Sequence, residues 1–498
     1  MTSKLSYDNL APSRRDPICP VQIASPEQTD LAIAKSQQAF HPWSLVSCDE
    51  RAMILRRMAQ TLEDHQSELC ELEALDTGIP LTQIKSNHFP AAIDTLNYYS
   101  NLIATTAMSG RIWDTPTTSL STENSQSAHS LVYTRREPLG VCVGLGSWNY
   151  PLAGMIAKVA PALACGNTMI FKPSECTPLT AWRAVQLWHE ASCLPEYPSS
   201  VLQILQGDAS VGQQLTSDYR VQHISLTGSH PSGKSVMASA AASPTWKRIT
   251  LELGGKSALI VFDDADMESV IRVMIDGNYL NNGQVCSNCT RVLIQKSCWE
   301  EVIDRLITYL QQPNRIIMGN NMEQSTTIGP LIKHPKHPSQ HFKKVQGMIE
   351  RAKSDPLVTL LWGGKCYESE ENAYFVEPTI FATHSPHVEI AQEEVFGPVM
   401  TLIPFEEADE AVQIANNTPY GLAAGVMTQA IQRAHQIAPQ LQAGIIWINN
   451  WNTCPVNMPF GPYKQSGFGK EYGIEAMAEY SQVKAIYMEL QNIRDSQF

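Results

Sequence analysis

Glu252 and Cys286 are the two residues of this chain best equipped for chemistry. The carboxylate stands in Leu251-Glu252-Leu253-Gly254-Gly255-Lys256-Ser257, on a glycine turn, and the thiol in Gly283-Gln284-Val285-Cys286-Ser287-Asn288, among small and amide side chains. A sulfur nucleophile with a base nearby is the minimum equipment for covalent catalysis on a carbonyl carbon. Singly, each has a plainer reading, because a cysteine in a long chain is most often a small buried hydrophobe and Glu before Gly-Gly is most often a turn. Cys286-Ser287-Asn288-Cys289 is also a C-x-x-C, which admits redox chemistry or half of a zinc site. Zinc would want a second such pair or clustered histidines, and the sequence has neither, so no metal is expected.

Several elements must bring these residues together. At 498 residues the chain is too long for one ordinary core, and two or three domains are expected. A hydrophobic content of 43% with 17% charged residues describes an ordinary globular protein. A net charge of −13 disfavours nucleic acid or an anionic membrane as the main partner. No apolar run is long enough to span a bilayer, and Met1–Pro20 lacks the apolar core of a secretory signal. Twelve cysteines without framework spacing read as reduced thiols, and the cytoplasm is the expected compartment.

Residues 1–60 read as an extended lead followed by an amphipathic helix, and Thr115–Ser130 as a loop or hairpin tip before an exposed strand at Leu131–Arg136. From Gly140 onward strands and helices alternate: strands at Val141–Gly146, Thr168–Phe171, Val201–Leu205 and Val221–Leu226, with helices at Leu152–Ala164, Leu179–Ala191, Val211–Leu215 and Pro231–Ala241. This rhythm predicts an α/β fold with a parallel sheet, whose ligands bind at the carboxyl ends of the strands. A second alternation starts with a strand at Ala258–Phe262 and a helix at Met267–Leu280, then Arg291–Gln295 and Trp299–Gln312, and predicts a second α/β domain joined near Glu252–Lys256. Tyr480–Glu489 alternates like an edge strand, which a neighbouring subunit would cover.

Further motifs fall between these elements. Trp148-Asn149-Tyr150-Pro151 joins a strand to a helix; the Asn149 amide can hold an oxyanion together with the Cys286 backbone N–H, or simply cap the helix. Lys172 and Glu175 follow a strand and are either sugar-hydroxyl ligands or solvated loop charges. Thr227-Gly228-Ser229-His230-Pro231-Ser232-Gly233 opens a helix whose amides suit a pyrophosphate, with Ser229 as cap in the plainer reading. No G-x-G-x-x-G is present. Glu393-Glu394-Val395-Phe396-Gly397-Pro398 reads by itself as a turn, and Pro459–Glu471 carries a glycine-rich run.

Taken in order, these segments closely resemble the signatures of the aldehyde dehydrogenase superfamily, over about Ile54 to Phe498. The resemblance implies an aldehyde dehydrogenase-like fold of two parallel-sheet α/β domains with a small oligomerisation β-element. It places an NAD-binding Rossmann-like domain at 1–117 and 139–253, a catalytic domain at 254–455, and oligomerisation strands at 118–138 and 476–498. It implies Cys286 as nucleophile, Glu252 as general base and Asn149 as oxyanion donor. NAD would be held by Trp148, Lys172, Glu175, Gly228, Ser229, Gly233, Leu253, Glu394 and Phe396. Lys158 and Glu471 match positions that can pass protons to or from Glu252, and read more plainly as structural ion partners.

Ile448-Asn449-Asn450-Trp451 with Cys454-Pro455-Val456, and then Tyr480-Ser481-Gln482-Val483-Lys484, are similar to the group that oxidises ω-amino and quaternary-ammonium aldehydes, the 4-trimethylaminobutyraldehyde and betaine aldehyde dehydrogenases. That similarity implies a homotetramer (or homodimer), an aldehyde substrate, and Tyr150 and Trp451 as aromatic walls for a cation. Four positions depart from the pattern: Ala157 where the group commonly has tryptophan, Cys289 where glycine is more familiar, Pro462 where glycine is normal, and Lys470 where arginine is common. The alternatives are a broad aliphatic or semialdehyde dehydrogenase, and a non-catalytic protein on the same scaffold.

Overall fold

The computed structural model describes residues 6–105, 108–117, 128–191 and 199–489. Two large sheets dominate it. The first has six strands in the order Gly467–Phe468, Arg248–Glu252, Val221–Thr227, Val141–Leu145, Thr168–Lys172, Leu202–Ile204, all parallel except the short Gly467–Phe468. Its central strands are apolar on both faces, as burial between helix layers requires. Val141, Val143 and Leu145 join one hydrophobic cluster, while the intervening Cys142 joins another on the opposite face.

The second sheet has seven strands in the order Val358–Trp362, Thr379–Thr383, Val399–Phe405, Arg291–Gln295, Ala258–Val261, Ala423–Met427, Ile445–Ile448. Only Val358–Trp362 runs antiparallel to its neighbour. Here too alternate residues serve opposite cores, with Ile260 and Leu293 on one side and Leu259 and Val292 on the other. The strands between Val358 and Phe405 have no counterpart in the sequence reading. Short runs such as Tyr374–Val376 carry too little periodicity to separate from loop.

In the first sheet the chain starts at Val141–Leu145, moves outward to Thr168–Lys172 and Leu202–Ile204, and then returns to the other flank at Val221–Thr227. This is a topological switch point, where the connections leaving adjacent strands diverge and open a crevice. The segments Gly146–Tyr150 and Gly228–Ser229 leave the two strands at that point.

The two halves meet asymmetrically. Glu252 ends its strand at the carboxyl edge of the first sheet, as expected. Cys286 and Glu394 instead precede the strands Arg291–Gln295 and Val399–Phe405, at the amino edge of the second sheet. The expectation that ligands meet strand carboxyl ends thus fits Glu252 in the first sheet and is corrected for Cys286 and Glu394 in the second. Two sheets face each other across the site and contribute opposite edges.

The N-terminal lead is a two-stranded hairpin, Ser6–Leu10 with Pro17–Gln22, followed by helices Pro26–Ser44 and Cys48–Asp64. Both helices carry complete capping boxes, at Ser25/Gln28 and Ser47/Glu50. Ala128–Pro138 forms the middle of a three-stranded antiparallel sheet between Ile112–Thr117 and Ser481–Glu489. The strands thus extend into the segment read as a hairpin tip, whose residues 118–127 lie outside the described residues.

Asn167 ties these pieces together. Its carboxamide oxygen accepts the backbone N–H of Leu139 (2.7 Å) and Gly140 (3.0 Å), and its nitrogen donates to the carbonyls of Ala162 (3.2 Å) and Tyr480 (2.8 Å). Asn167→Ala orphans these partners beside a fully buried position. Urea unfolding is expected to show a loss of about 2–4 kcal/mol, at ~1 kcal/mol or more per buried group left unpaired.

Candidate active site

A crevice of about 680 Å³ opens at the switch point and runs between the sheets. Trp148, Asn149, Lys172, Glu175, Gly228, Ser229, Glu252, Leu253, Cys286, Glu394 and Phe396 all line it. Eleven residues from both halves of the sequence therefore share one concavity of ordinary ligand-site size.

The thiol is presented by an unusual turn. Asn281, Asn282 and Gly283 take φ of 59°, 58° and 74°, three left-handed residues in succession. Asparagine and glycine tolerate this region best because a short amide or no side chain meets the least steric cost. The Asn282 side chain donates to the carbonyls of Gly78 (3.1 Å) and Pro330 (3.0 Å) and accepts the Gly329 N–H (2.7 Å). The Asn281 N–H donates to the Gln83 side-chain oxygen (2.8 Å). Gly283 lies so close to Gly397 and Pro398 that a Cβ there would sit 2.2 Å from the Pro398 nitrogen.

Beyond the turn, Trp451 donates its indole N–H to the Ser287 carbonyl (3.1 Å), and Ser287 Oγ donates to Asn452 Oδ1 (2.7 Å). Cys286 is left half-buried, facing the crevice. Burial pushes its thiol well above the ordinary range, and the nearby Glu394 and Glu252 carboxylates push the same way, while its own backbone N–H opposes them.

Glu252 is buried, and neither carboxylate oxygen has a partner. Burial holds its pKa well above the carboxylate range; Glu471 adds to the shift, and Lys158 and Lys470 oppose it. Its backbone is fixed on both sides, for its carbonyl accepts the Gly228 N–H (2.9 Å) and the Leu253 N–H donates to the Ser466 carbonyl (2.8 Å). Gly255 closes the gap to the nucleophile, since a Cβ there would lie 2.5 Å from the Cys286 carbonyl oxygen. Behind Glu252, the Lys158 ammonium donates to Ser225 Oγ (3.0 Å), Thr227 Oγ1 (2.8 Å) and the Glu471 carboxylate. Lys158 and Glu471 lie outside the crevice lining, as a buried pair whose charges act on Glu252.

One N–H of the Asn149 side chain donates to the Gln284 carbonyl (2.9 Å), and its oxygen accepts from Ser147 Oγ (2.8 Å). A primary amide carries two N–H donors, so the second is left for an incoming oxygen. The helix that follows, Pro151–Ala164, has no side-chain cap bond. The capping reading of Asn149 does not hold in this structure.

At the far end of the crevice the Lys172 ammonium lies 3.9 Å from a Glu175 oxygen. Burial lowers the Lys172 pKa; burial works against the Glu175 carboxylate, but His334 and Lys172 together hold it below the usual range. Ser229 accepts from the Ser232 N–H (3.3 Å) as the cap of helix His230–Ala241, and Gly233 packs on Leu253 inside that helix rather than lining the crevice. Glu394 accepts the Gly255 N–H (3.0 Å) on one oxygen, while burial raises its pKa.

Phe396, with φ of 62°, stands edge-on to Trp148 at 5.1 Å. His341 completes this aromatic corner, 5.3 Å from Trp148 and bonded through Nε2 to the Phe396 carbonyl (2.9 Å). Burial lowers the His341 pKa to about 4, so the ring is neutral. His341 and Lys344 line the crevice without having been singled out in the sequence. They sit in or beside the helix Gln340–Ser354, whose motif-free sequence offers no signal.

Tyr150 and Trp451 behave differently from the residues above. Trp451 is packed in the core against Trp447 (5.0 Å) and over Gly277 and Gly425, away from the crevice lining. Tyr150 lies over the His88 ring (4.2 Å), and its hydroxyl is raised by burial first and then by Cys286, Cys454 and Glu73. Tyr472, acted on by Cys454, Tyr150 and Cys286, joins the same neighbourhood, with Phe460 edge-on at 6.5 Å. Tyr472 is therefore an aromatic neighbour of the thiol that spacing alone did not reveal.

Cys289 points into the core. It is fully buried, accepts from the Asn278 amide (3.3 Å) and faces Gly277. All the described cysteines are free. Among the described residues no group of three or more His, Cys, Asp or Glu could hold a metal ion, and no helix is long and apolar enough to cross a membrane.

A thiol presented by one α/β half against a buried carboxylate and a switch-point crevice of the other fits the aldehyde dehydrogenase class, and the chain belongs to that family: the family model matches residues 1–486. Betaine aldehyde dehydrogenase of Vibrio vulnificus is 39% identical over 486 residues, covering 97% of this chain and 94% of that protein. Among solved structures, betaine aldehyde dehydrogenase from Staphylococcus aureus in complex with NAD⁺ superimposes with a TM-score of 0.90 at 32% identity, covering 100% of this chain and 94% of the other. The aldehyde dehydrogenase KauB from Pseudomonas aeruginosa gives 0.89 at 33% identity, covering 98% and 94%.

Gly283→Ala combines a left-handed φ with a backbone collision. It is expected to cost about 2 kcal/mol or more. The checks are a lower thermal unfolding midpoint and slower alkylation of Cys286 by iodoacetamide, mapped by mass spectrometry.

Proposed function

We propose that this protein oxidises an aldehyde to its carboxylate with NAD as hydride acceptor, by way of a thioester on Cys286. The single observation that carries the reading is the meeting, in one crevice, of the Cys286 thiol and the unpartnered Glu252 carboxylate beside Asn149 and Glu394.

The residues present fit NAD. Lys172 and the ionised Glu175 would take adenosine-ribose hydroxyls, and a carboxylate there repels a 2′-phosphate, favouring NAD over NADP. Gly228, Ser229 and the N-terminus of helix His230–Ala241 would take the diphosphate. Gly233 lets that helix pack tightly on Leu253. Glu394 would offer its second oxygen to the other ribose, and Trp148 and Phe396 would wall the nicotinamide. Bound NAD supplies the acceptor for the hydride.

Cys286 loses its proton to Glu252 or water, and the sulfur attacks the aldehyde carbon to form an S–C bond. The carbonyl oxygen takes the electron pair and rests on the free Asn149 N–H, where a preorganised donor counts for most. Loss of hydride turns the thiohemiacetal into a thioester. Once any proton taken from the thiol has passed to solvent, Glu252 takes a proton from water, whose oxygen attacks the thioester carbon. The C–S bond breaks, the leaving sulfur recovers that proton from Glu252, and the carboxylic acid departs as carboxylate with its proton going to solvent. Burial keeps Glu252 protonated through the ordinary carboxylate range, but makes it a strong base once ionised. Lys158 and Glu471 set that balance and would relay the proton.

For the substrate we favour ω-amino or trimethylammonium aldehydes, supported by the kinship with betaine aldehyde dehydrogenases and by the aromatic rings of Tyr150 and Tyr472 near the thiol. Trp451 supports the nucleophile segment in this reading rather than walling the cation. With Trp451 in the core and Ala157 in a buried helix, two cage walls are absent, at about 0.5–2 kcal/mol each. That observation favours the second reading, a broader aliphatic or semialdehyde dehydrogenase. We further propose that 1–117 with 139–253 and 254–455 are the cofactor and catalytic domains, and that 118–138 with 476–498 contact a second subunit in a homotetramer or homodimer of the cytoplasm. The open edge of Ser481–Glu489, with exposed Val483 and Tyr487, supports that contact.

Cys286→Ala is expected to abolish NADH formation across a panel of aldehydes; wild-type turnover in that variant rejects the assignment. Glu252→Gln is expected to retain a burst of NADH while steady turnover falls about 10²-fold or more. Because the native carboxyl pKa is raised, the ionised base accumulates only above the ordinary carboxylate range, so wild-type deacylation accelerates as pH rises past that range and Glu252→Gln loses that rise. A trimethylammonium aldehyde is expected to beat a neutral isostere in kcat/KM, and equal values exclude cation selection.

A further inference from the structure

Glu73 and His88 are buried polar residues outside the proposed chemistry. Glu73 lies in the helix Gln66–Thr77, and His88 ends the π-helical turn Ile84–His88. His88 Nδ1 is 2.8 Å from Glu73 Oε1, and Nε2 is 3.0 Å from Asn281 Oδ1. The Asn281 side-chain nitrogen donates to the carbonyls of Asn149 (3.1 Å) and Gln284 (3.4 Å). Those two bonds orient the Asn281 amide, so its oxygen faces His88 and Nε2–H donates to it, while a second proton bridges Nδ1 and Glu73.

The other Glu73 oxygen accepts the N–H of Leu152 (3.2 Å), in the helical turn that follows Asn149. The His88 ring also lies against Tyr150. One hydrogen-bonded chain thus grips the segment Asn149–Leu152 at both ends and reaches the left-handed turn beneath Cys286. The Gln284 carbonyl it contacts is the one that holds the Asn149 amide.

We infer that Glu73, His88 and Asn281 form a positioning relay that sets the Asn149 amide and the Tyr150 ring relative to Cys286. This rests on the reaction proposed above. Buried polar groups in an otherwise apolar helix layer cost stability unless fully paired, and paired they hold one geometry. Glu73 and His88 touch no reacting atom. Their effect passes through Asn149, which needs its second N–H aimed at the oxyanion.

A double-mutant cycle on the full-length protein tests this, with kcat expressed per titrated Cys286, KM for aldehyde, NAD affinity and thermal midpoint measured together. Glu73→Gln is expected to lower kcat per site about tenfold with NAD affinity unchanged, and to change kcat less than about twofold when Asn149 is already Ala. His88→Gln, which can still donate to Asn281, is expected to recover most of the activity that His88→Leu loses. Equal losses from Glu73→Gln in both backgrounds, equal losses in the two His88 variants, or a fall in titre and midpoint with kcat per site unchanged each overturn the relay. If Glu73→Gln fails to fold, the His88 pair decides alone. Wild-type protein that forms no NADH with any aldehyde sinks the proposed reaction instead, a separate and distinguishable result.

Discussion

Three consecutive left-handed residues, Asn281 to Gly283, govern the rest of the site. A backbone in this region stores roughly 1–3 kcal/mol at each residue other than glycine, and it persists only where neighbours over-determine it. Here they do. The Asn282 carboxamide is spent on Gly78, Gly329 and Pro330, and Gly283 is wedged against Gly397 and Pro398. Gly78 itself ends the helix Gln66–Thr77 in the left-handed region, so a helix terminus from the first half of the chain anchors the nucleophile of the second. Small residues are required on both sides of that contact because backbone meets backbone.

Desolvation sets the chemistry of what the turn presents. Cys286 and Glu252 are both pushed toward their neutral forms by burial; Glu394 and Glu252 raise the thiol further, and Glu471 raises Glu252. Two like-charged groups in a dry crevice do not readily ionise together. One proton shared between sulfur, carboxylate and water is therefore the natural currency of the site, with Lys158 and Lys470 opposing the shift from behind Glu252. The orphaned Glu252 oxygens are costly for folding, and such a cost is typical of functional sites, in keeping with the base role proposed for them.

The same division between support and chemistry separates residues that look alike in one dimension. Cys289 and Cys286 share a C-x-x-C, yet only Cys286 reaches the crevice; Cys289 is a core side chain under Gly277. Trp451 and Tyr150 are both aromatic, yet Trp451 spends its N–H on Ser287 while Tyr150 stays near the thiol.

Much was legible in the sequence alone. The alternation from Gly140 onward marked the first sheet, because strands buried on both faces are short apolar runs that stand out between amphipathic helices. Glu252, Cys286, Asn149, Lys172 and Glu394 were legible through the order of their motifs and the family resemblance that order carries, since each motif alone admitted a plainer reading. What tertiary structure decided was direction and pairing. Which sheet edge offers Cys286, which N–H of Asn149 is free, where Trp451 points, and that His341 meets Trp148 and His88 meets Asn281 all depend on contacts across a hundred residues or more. Periodicity reports only which face of an element is buried. What that face meets is set by packing between the two sheets, which no local pattern encodes.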